Sequence, residues 1–141
     1  MKITVRICVV LVLSVVWCSV FSCNKGNNDT SPKARIVGRW EKVGFGTDDN
    51  SNGSIDQWEK NTETTTITNI LEFKKDSTGI EYTTQAPDLG FSWYFGGDVS
   101  LYTIYNTGDT FTYKVILLSG SDLHITTISK LGLSAYYYKK K

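Results

Sequence analysis

From Phe91 onward the chain alternates large and polar residues with a period of two. Phe91, Trp93 and Phe95 alternate with Ser92 and Tyr94, and Leu101, Thr103 and Tyr105 with Ser100, Tyr102 and Ile104. Phe111, Tyr113, Val115 and Leu117 alternate with Thr112, Lys114, Ile116 and Leu118, and Leu123, Ile125 and Thr127 with His124, Thr126 and Ile128. Successive side chains of a strand point to opposite faces, so this pattern describes strands with one face turned inward. No stretch past Arg35 carries a convincing 3.6-residue apolar period. The composition there is rich in Thr, Tyr, Phe, Ile and Val, the residues that suit a pleated surface.

Short Gly-bearing turns punctuate the strands: Lys75-Asp-Ser-Thr-Gly79, Gly96-Gly-Asp98, Asn106-Thr-Gly-Asp109 and Ser119-Gly-Ser-Asp122. Turns of this length join antiparallel neighbours and leave no room for crossover helices. The expected fold is all-β, an antiparallel meander of about eight strands near 38–45, 65–74, 79–85, 91–96, 99–105, 110–118, 122–129 and 132–138. Such a meander closes into a barrel or folds into a sandwich, because open edges invite aggregation. Closure is the favoured reading.

The N-terminus reads as an export signal. Lys2 and Arg6 give a short basic start, and Ile7 to Trp17 is an apolar run broken only by Ser14. The run is short for a transmembrane helix, which needs about 20 apolar residues. Val20-Phe-Ser-Cys23 resembles a lipobox, the site of lipid transfer to cysteine followed by cleavage. The resemblance implies a signal peptide at 1–22 and a Cys23 carrying acyl chains such as palmitate, a membrane anchor. Asn24 rather than Asp follows the cysteine, which points to an outer-membrane lipoprotein. Residues 23–33 read as a polar tether and 34–141 as the folded domain. Cys8 and Cys18 fall within the signal, so the mature domain has no cysteine left for a disulfide, a nucleophile or a metal site.

Three segments of the domain resemble lipocalin-like domains of bacterial lipoproteins. Ile36-Val-Gly-Arg-Trp-Glu-Lys-Val43 resembles their Gly-x-Trp opening strand, with Gly38 and Trp40 in the matching places. Leu71-Glu-Phe-Lys-Lys-Asp-Ser-Thr-Gly79 resembles their first hairpin, and the stretch from Phe111 to Thr126 their closing hairpin. The resemblance implies a lipocalin-like barrel that binds a small hydrophobic ligand. In that family an arginine on the late strands covers the first-strand tryptophan, and this chain has no arginine after Arg39. Trp40 itself reads as a plug for the barrel base.

One stretch carries metal chemistry. Asp48, Asn50, Asn52, Gly53, Ser54, Asp56 and Glu59 fill the pattern D-x-[DN]-x-[DN]-G-x₅-E of a twelve-residue calcium loop, with apolar Ile55 at the eighth position. Calcium prefers six to eight oxygen ligands, and the loop offers them from side chains of Asp48, Asn50, Asn52, Asp56 and Glu59 and the carbonyl of Ser54. No helices flank it, so the expected site is an EF-hand-like loop between the first two strands, with a structural role.

No enzyme motif is present. The lone histidine, His124, sits on the polar phase of its strand, as do Glu72, Glu81 and Lys114, and all are expected to face outward. Of fifteen basic residues two lie in the signal, leaving thirteen against fourteen acidic ones and a net charge of −1. That balance argues against nucleic acid, whose binding rests on phosphate neutralisation. The chain therefore reads as a non-enzyme. Phe73, Phe91, Trp93, Phe95, Tyr105, Phe111 and Tyr113 form the expected inward aromatic set. They either line a pocket for a small hydrophobic ligand or fill the barrel, in which case the protein is an accessory lipoprotein that contacts another envelope protein. Tyr136-Tyr-Tyr138 is expected to alternate in and out.

Overall fold

The computed structural model describes residues 30–56, 59–62, 68–97, 99–130 and 132–141. The expected signal peptide at 1–22, Cys23 and the expected tether up to residue 29 lie outside the described residues, as do positions 57 and 58 of the loop, 63–67 with the start of the strand expected near 65–74, 98 and 131.

Among the described residues, nine strands follow one short helix. The helix, α1, is Pro32–Ile36, and the strands are β1 (Gly38–Thr47), β2 (Lys60–Thr62), β3 (Asn69–Phe73), β4 (Thr78–Thr83) and β5 (Ala86–Gly96). They continue with β6 (Ser100–Tyr105), β7 (Thr110–Leu118), β8 (Asp122–Ser129) and β9 (Gly132–Lys140). Every pairing is antiparallel, and β3 to β9 run in sequence order. β1 pairs with β3 on one edge and with β9 on the other, which closes an eight-stranded barrel. The short β2 continues the wall above β3 on the same edge of β1, at Gly44 to Gly46.

The two ends of the barrel differ. At one end α1 lies across the opening. Ser31 accepts the Ala34 amide at the N-cap, and Pro32 stands at the start of the helix, where its missing amide proton costs nothing. A five-residue helix is too short to show a helical period, so the sequence does not reveal it. It begins within the last two residues of the expected tether. Ile36 is fully buried, and the Arg35 guanidinium donates to the Leu118 carbonyl at 3.0 Å.

Beneath the helix lies the core. Trp40 and Trp93 are buried, with Phe73, Phe91, Leu101, Leu123 and Ile125 around them. Phe73 meets both Phe91 and Trp93 edge to face at 5.5 Å between centroids, the arrangement aromatic quadrupoles prefer. The Trp40 indole donates to the Ile36 carbonyl at 2.6 Å, and the Trp93 indole to the Thr78 carbonyl at 2.9 Å, so neither buried N–H is left unpaired. Over the Trp40 ring stands the Lys140 ammonium, 5.0 Å from its centroid. The cation that the resemblance assigns to an arginine is supplied here by the end of β9.

Of three register slips among the described residues, one of them on β4 between Glu81 and Thr83, those in β7 and β1 shift the expected phase. In β7 the register slips between Val115 and Leu117, which turns Leu118 inward against Leu123 and leaves Ile116 and Leu117 exposed. The expectation that Leu117 points inward is thereby corrected. In β1 the slip falls between Lys42 and Gly44, around Val43. An extra residue in one strand exchanges its faces from that point on.

Candidate functional site

Above the aromatic core the barrel lumen opens into a cavity of about 310 Å³. Its walls come from Leu71 and Asn69 on β3, Glu81 on β4, Tyr105 on β6, Phe111 and Tyr113 on β7, and Tyr136 and Tyr138 on β9. Lys42, Leu89, Thr107 and Asp109 complete the lining. Of the seven aromatic residues singled out from the sequence, Tyr105, Phe111 and Tyr113 line this space. Phe73, Phe91, Trp93 and Phe95 do not: they pack together at the closed end.

Glu81 was expected to face outward, and it faces the lumen instead. On β4 it pairs with Leu71 and Leu89, both cavity residues. The apolar Ile80 takes the other phase, and the inward neighbour of Glu81 is Gly79, where a Cβ would fall 2.3 Å from the Phe91 ring. A strand whose inward face reads Gly-x-Glu inverts the usual hydrophobic code, and the sequence pattern alone misassigns it. The signal that could have found it is the size of Phe91, whose ring needs a glycine opposite.

The Glu81 carboxylate ties three strands together. One oxygen accepts the Tyr105 hydroxyl at 2.5 Å, and the other accepts the Asn69 amide N–H at 2.6 Å. That bond fixes the amide orientation of Asn69 and leaves its Oδ1 buried without a hydrogen-bond partner among the described residues. An unpartnered buried acceptor typically costs about 1–3 kcal/mol. Burial, the Glu81 hydrogen bond and the Glu81 charge all push the Tyr105 phenol far above its ordinary range. Burial, with Tyr136 and Glu81 nearby, raises Tyr113 likewise, and burial raises Tyr138. The hydroxyls of Tyr105, Tyr113 and Tyr138 are therefore neutral, and each can donate or accept.

The rings form a continuous wall. Tyr105 meets Phe111 edge on at 5.6 Å, Phe111 and Tyr113 lie nearly parallel at 6.3 Å, and Tyr113 meets Tyr136 edge on at 6.5 Å. Tyr136 and Tyr138 face in and Tyr137 faces out, in line with their alternation.

The loop from Asp48 to Glu59 leaves the open end of β1. It is organised by its own oxygens. Asp48 accepts the amides of Asn52 and Gly53 at 2.9 and 2.8 Å, and Asn52 Oδ1 accepts the amide and hydroxyl of Ser54, both at 2.8 Å. Asp56 accepts the side-chain amides of Asn50 and Asn52 at 3.1 and 3.0 Å. Gly53 turns the chain at φ 84°, a conformation side chains disfavour. Ile55 seats the loop on the outer wall: its Cγ2 would lie 2.6 Å from a Cβ at Gly46.

Glu59 is 2% exposed. One of its oxygens accepts the amides of Asp49 and Asn50 at 2.9 and 3.3 Å, and the other accepts the Asp56 amide at 2.7 Å. The six residues assigned to calcium, Asp48, Asn50, Asn52, Ser54, Asp56 and Glu59, thus belong to one compact hydrogen-bonded loop. Their oxygen chemistry and the turn at Gly53 fit a calcium loop. Among the described residues, however, no three His, Cys, Asp or Glu side chains converge as a metal cluster. Glu59 would have to exchange three backbone amides for the ion.

A second, larger concavity lies outside the barrel. It is a groove of about 740 Å³ between the loop and the outer faces of β7, β8 and β9. Ile116, Ile128, Leu133 and Tyr137 line it from the barrel, and Ser54, Ile55 and Lys60 from the loop side. His124 lies there too, edge on to Tyr137 at 5.0 Å, and does not line the lumen. Burial lowers its pKa. The groove is wide, and its polar groups, among them Lys60, Lys114, His124 and several threonines, are spread along it with no hydrogen-bonded centre, whereas the smaller lumen cavity brings together two carboxylates, an amide and four tyrosines, with Glu81 bonded to Asn69 and Tyr105. Convergent polar groups in a concave site mark small-molecule recognition, so the lumen is the stronger candidate.

No protein-family model, no curated protein and no solved structure matches this chain.

Proposed function

We propose that this protein is a lipid-anchored lipoprotein of the cell envelope, outer-membrane bound, whose lipocalin-like barrel holds a small, largely apolar ligand in its lumen. The observation that carries the reading is the cavity of about 310 Å³ above the packed aromatic plug. It falls at the lower end of the size range of small-molecule sites, and it is walled by aromatic rings with a few placed polar groups. The anchor rests on the lipobox-like Val20-Phe-Ser-Cys23. The described chain enters the barrel at its closed end through Ser31 and α1. A membrane anchor at Cys23 therefore joins the barrel from its closed end, the end opposite the mouth of the lumen and the loop at 48–59. A calcium ion held by Asp48, Asn50, Asn52, Ser54, Asp56 and Glu59 would pin that loop at the rim without taking part in chemistry. The protein is read as a binder and not as an enzyme.

The test is recovery of the protein from its own envelope, followed by native mass spectrometry. An adduct of small-molecule mass is the expected result, and Leu71→Trp, which places an indole in the cavity, should abolish it. A bare polypeptide mass for the wild-type protein would overturn the ligand reading. Labelling by a palmitate analogue, lost in Cys23→Ser, tests the anchor separately.

The outer groove favours a second reading, an accessory lipoprotein that docks another envelope protein. Ile128 is 81% exposed and Ile116 57%, side by side with the groove. Ile128→Lys would then break a copurifying complex and leave lumen adducts unchanged.

A further inference from the structure

We propose that the ligand of the lumen carries a protonated amine at its polar end, held by Glu81 and Asn69 with the aromatic wall around it. This rests on the reading of the lumen as a ligand site and names the chemical class that the site selects.

Three observations lead to it. The first is the unpartnered acceptor. Asn69 spends its N–H on Glu81, so its buried Oδ1 can be satisfied only by a donor from outside the described hydrogen-bond network. The second is spare acceptor capacity on Glu81. Each of its oxygens takes one hydrogen bond, whereas a carboxylate offers about four lone-pair sites. An ammonium brings three donors and no acceptor, which complements two neighbouring oxygens that lack donors. The third is the charge and the rings. Among the cavity residues the carboxylates of Glu81 and Asp109 outnumber the one lysine, Lys42. Phe111, Tyr113 and Tyr136 supply ring faces, which attract a cation lodged against them. A carboxylate-bearing ligand meets the reverse: it would place its oxygens against acceptors and two negative charges.

The volume sets the size of the rest. A cavity of about 310 Å³ holds a single aromatic ring with a short chain, and not a long acyl tail.

A matched set of probes tests the proposal: 2-phenylethylamine, the neutral 2-phenylethanol and the anionic phenylacetate, each titrated by calorimetry into protein produced from the full chain. The amine should bind about tenfold more tightly than the alcohol, the difference between a charge-assisted and a neutral hydrogen bond, and the anion should bind most weakly. In Glu81→Gln the preference for the amine over the alcohol should disappear while the alcohol still binds. Equal affinity for amine and alcohol in the wild-type protein overturns the proposal, whatever the variant does. So does an amine preference that persists in Glu81→Gln. N-phenyl-1-naphthylamine, a neutral apolar fluorophore, separates the two levels. If it is taken up and the amine gains nothing over the alcohol, the lumen binds ligands without this specificity. If neither the probes nor the fluorophore binds, the lumen reading falls as well.

Discussion

The two ends of the barrel are built from the same residue types in opposite roles. At the closed end the aromatic rings touch one another: Phe73, Phe91 and Trp93 interlock, and both buried indoles hand their N–H to backbone carbonyls. At the open end the aromatics are mostly tyrosines, arranged around a space, with Glu81 and Asn69 between them. The closed end pairs both of its indole N–H groups, and the open end leaves Asn69 Oδ1 without a partner; between them Thr103 Oγ1, opposite Trp93, is unpartnered as well among the described residues. Dense packing stabilises, whereas an unfilled polar lumen costs stability and offers binding. The division teaches that aromatic content alone does not locate a pocket in a small barrel. The polar groups between the rings do.

The sharpest way to break the contrast is to delete one ring at each end. Trp40→Ala at the closed end should cost about 3–5 kcal/mol, the range for large aromatic deletions from a packed core. Phe111→Ala at the open end, where the residue is 44% exposed, should cost about 1 kcal/mol or less. Urea unfolding followed by tyrosine fluorescence measures both. Equal losses would show that the lumen is as closely packed as the plug.

Next comes the loop on the rim. Glu59→Gln turns one carboxylate oxygen into an amide donor that faces backbone N–H groups, so a loss of about 1–3 kcal/mol is expected without any metal. If calcium also occupies the loop, ten times its dissociation constant should stabilise the wild-type protein by about 1.4 kcal/mol, and the gain should vanish in Glu59→Gln. Thermal melts with calcium and with EDTA separate the two contributions. No calcium effect on the wild-type melt would leave Glu59 as a backbone cap alone.

The smallest effect concerns the cation over Trp40. Lys140→Ala should cost about 0.5–1 kcal/mol, since the lysine is exposed, and Lys140→Arg should retain most of the stability, since a guanidinium also suits an indole face. Chemical denaturation of the pair checks whether the ammonium acts on the ring or only through its chain.

Much of this architecture is legible in the residues. The alternation of Phe91, Trp93 and Phe95 and of Leu101, Thr103 and Tyr105 places their strands and inward faces, and the Gly-bearing turns place the hairpins. The parts that escape sequence reasoning have physical reasons. The bulge at Ile116 reverses the phase of Leu117 and Leu118, and one extra residue leaves no mark on composition. The five residues of α1 complete little more than one turn. Glu81 looks solvent-facing because its strand turns Gly79 inward, a choice explained only by the Phe91 ring across the sheet. The Asn69–Glu81–Tyr105 chain then joins residues from three strands, and no local spacing encodes it.

The pairing of β1 with β9 sets Trp40 beside Lys140, nearly the whole domain apart along the chain. All the other wall pairings join elements that follow closely in sequence. Closure therefore waits on β9. A chain halted before Gly132 can form its hairpins and still present one edge of β1 from Trp40 to Thr47 with no strand beside it. Such an edge is a template for a neighbouring chain, so the nine residues of β9 decide between a closed barrel and an aggregate.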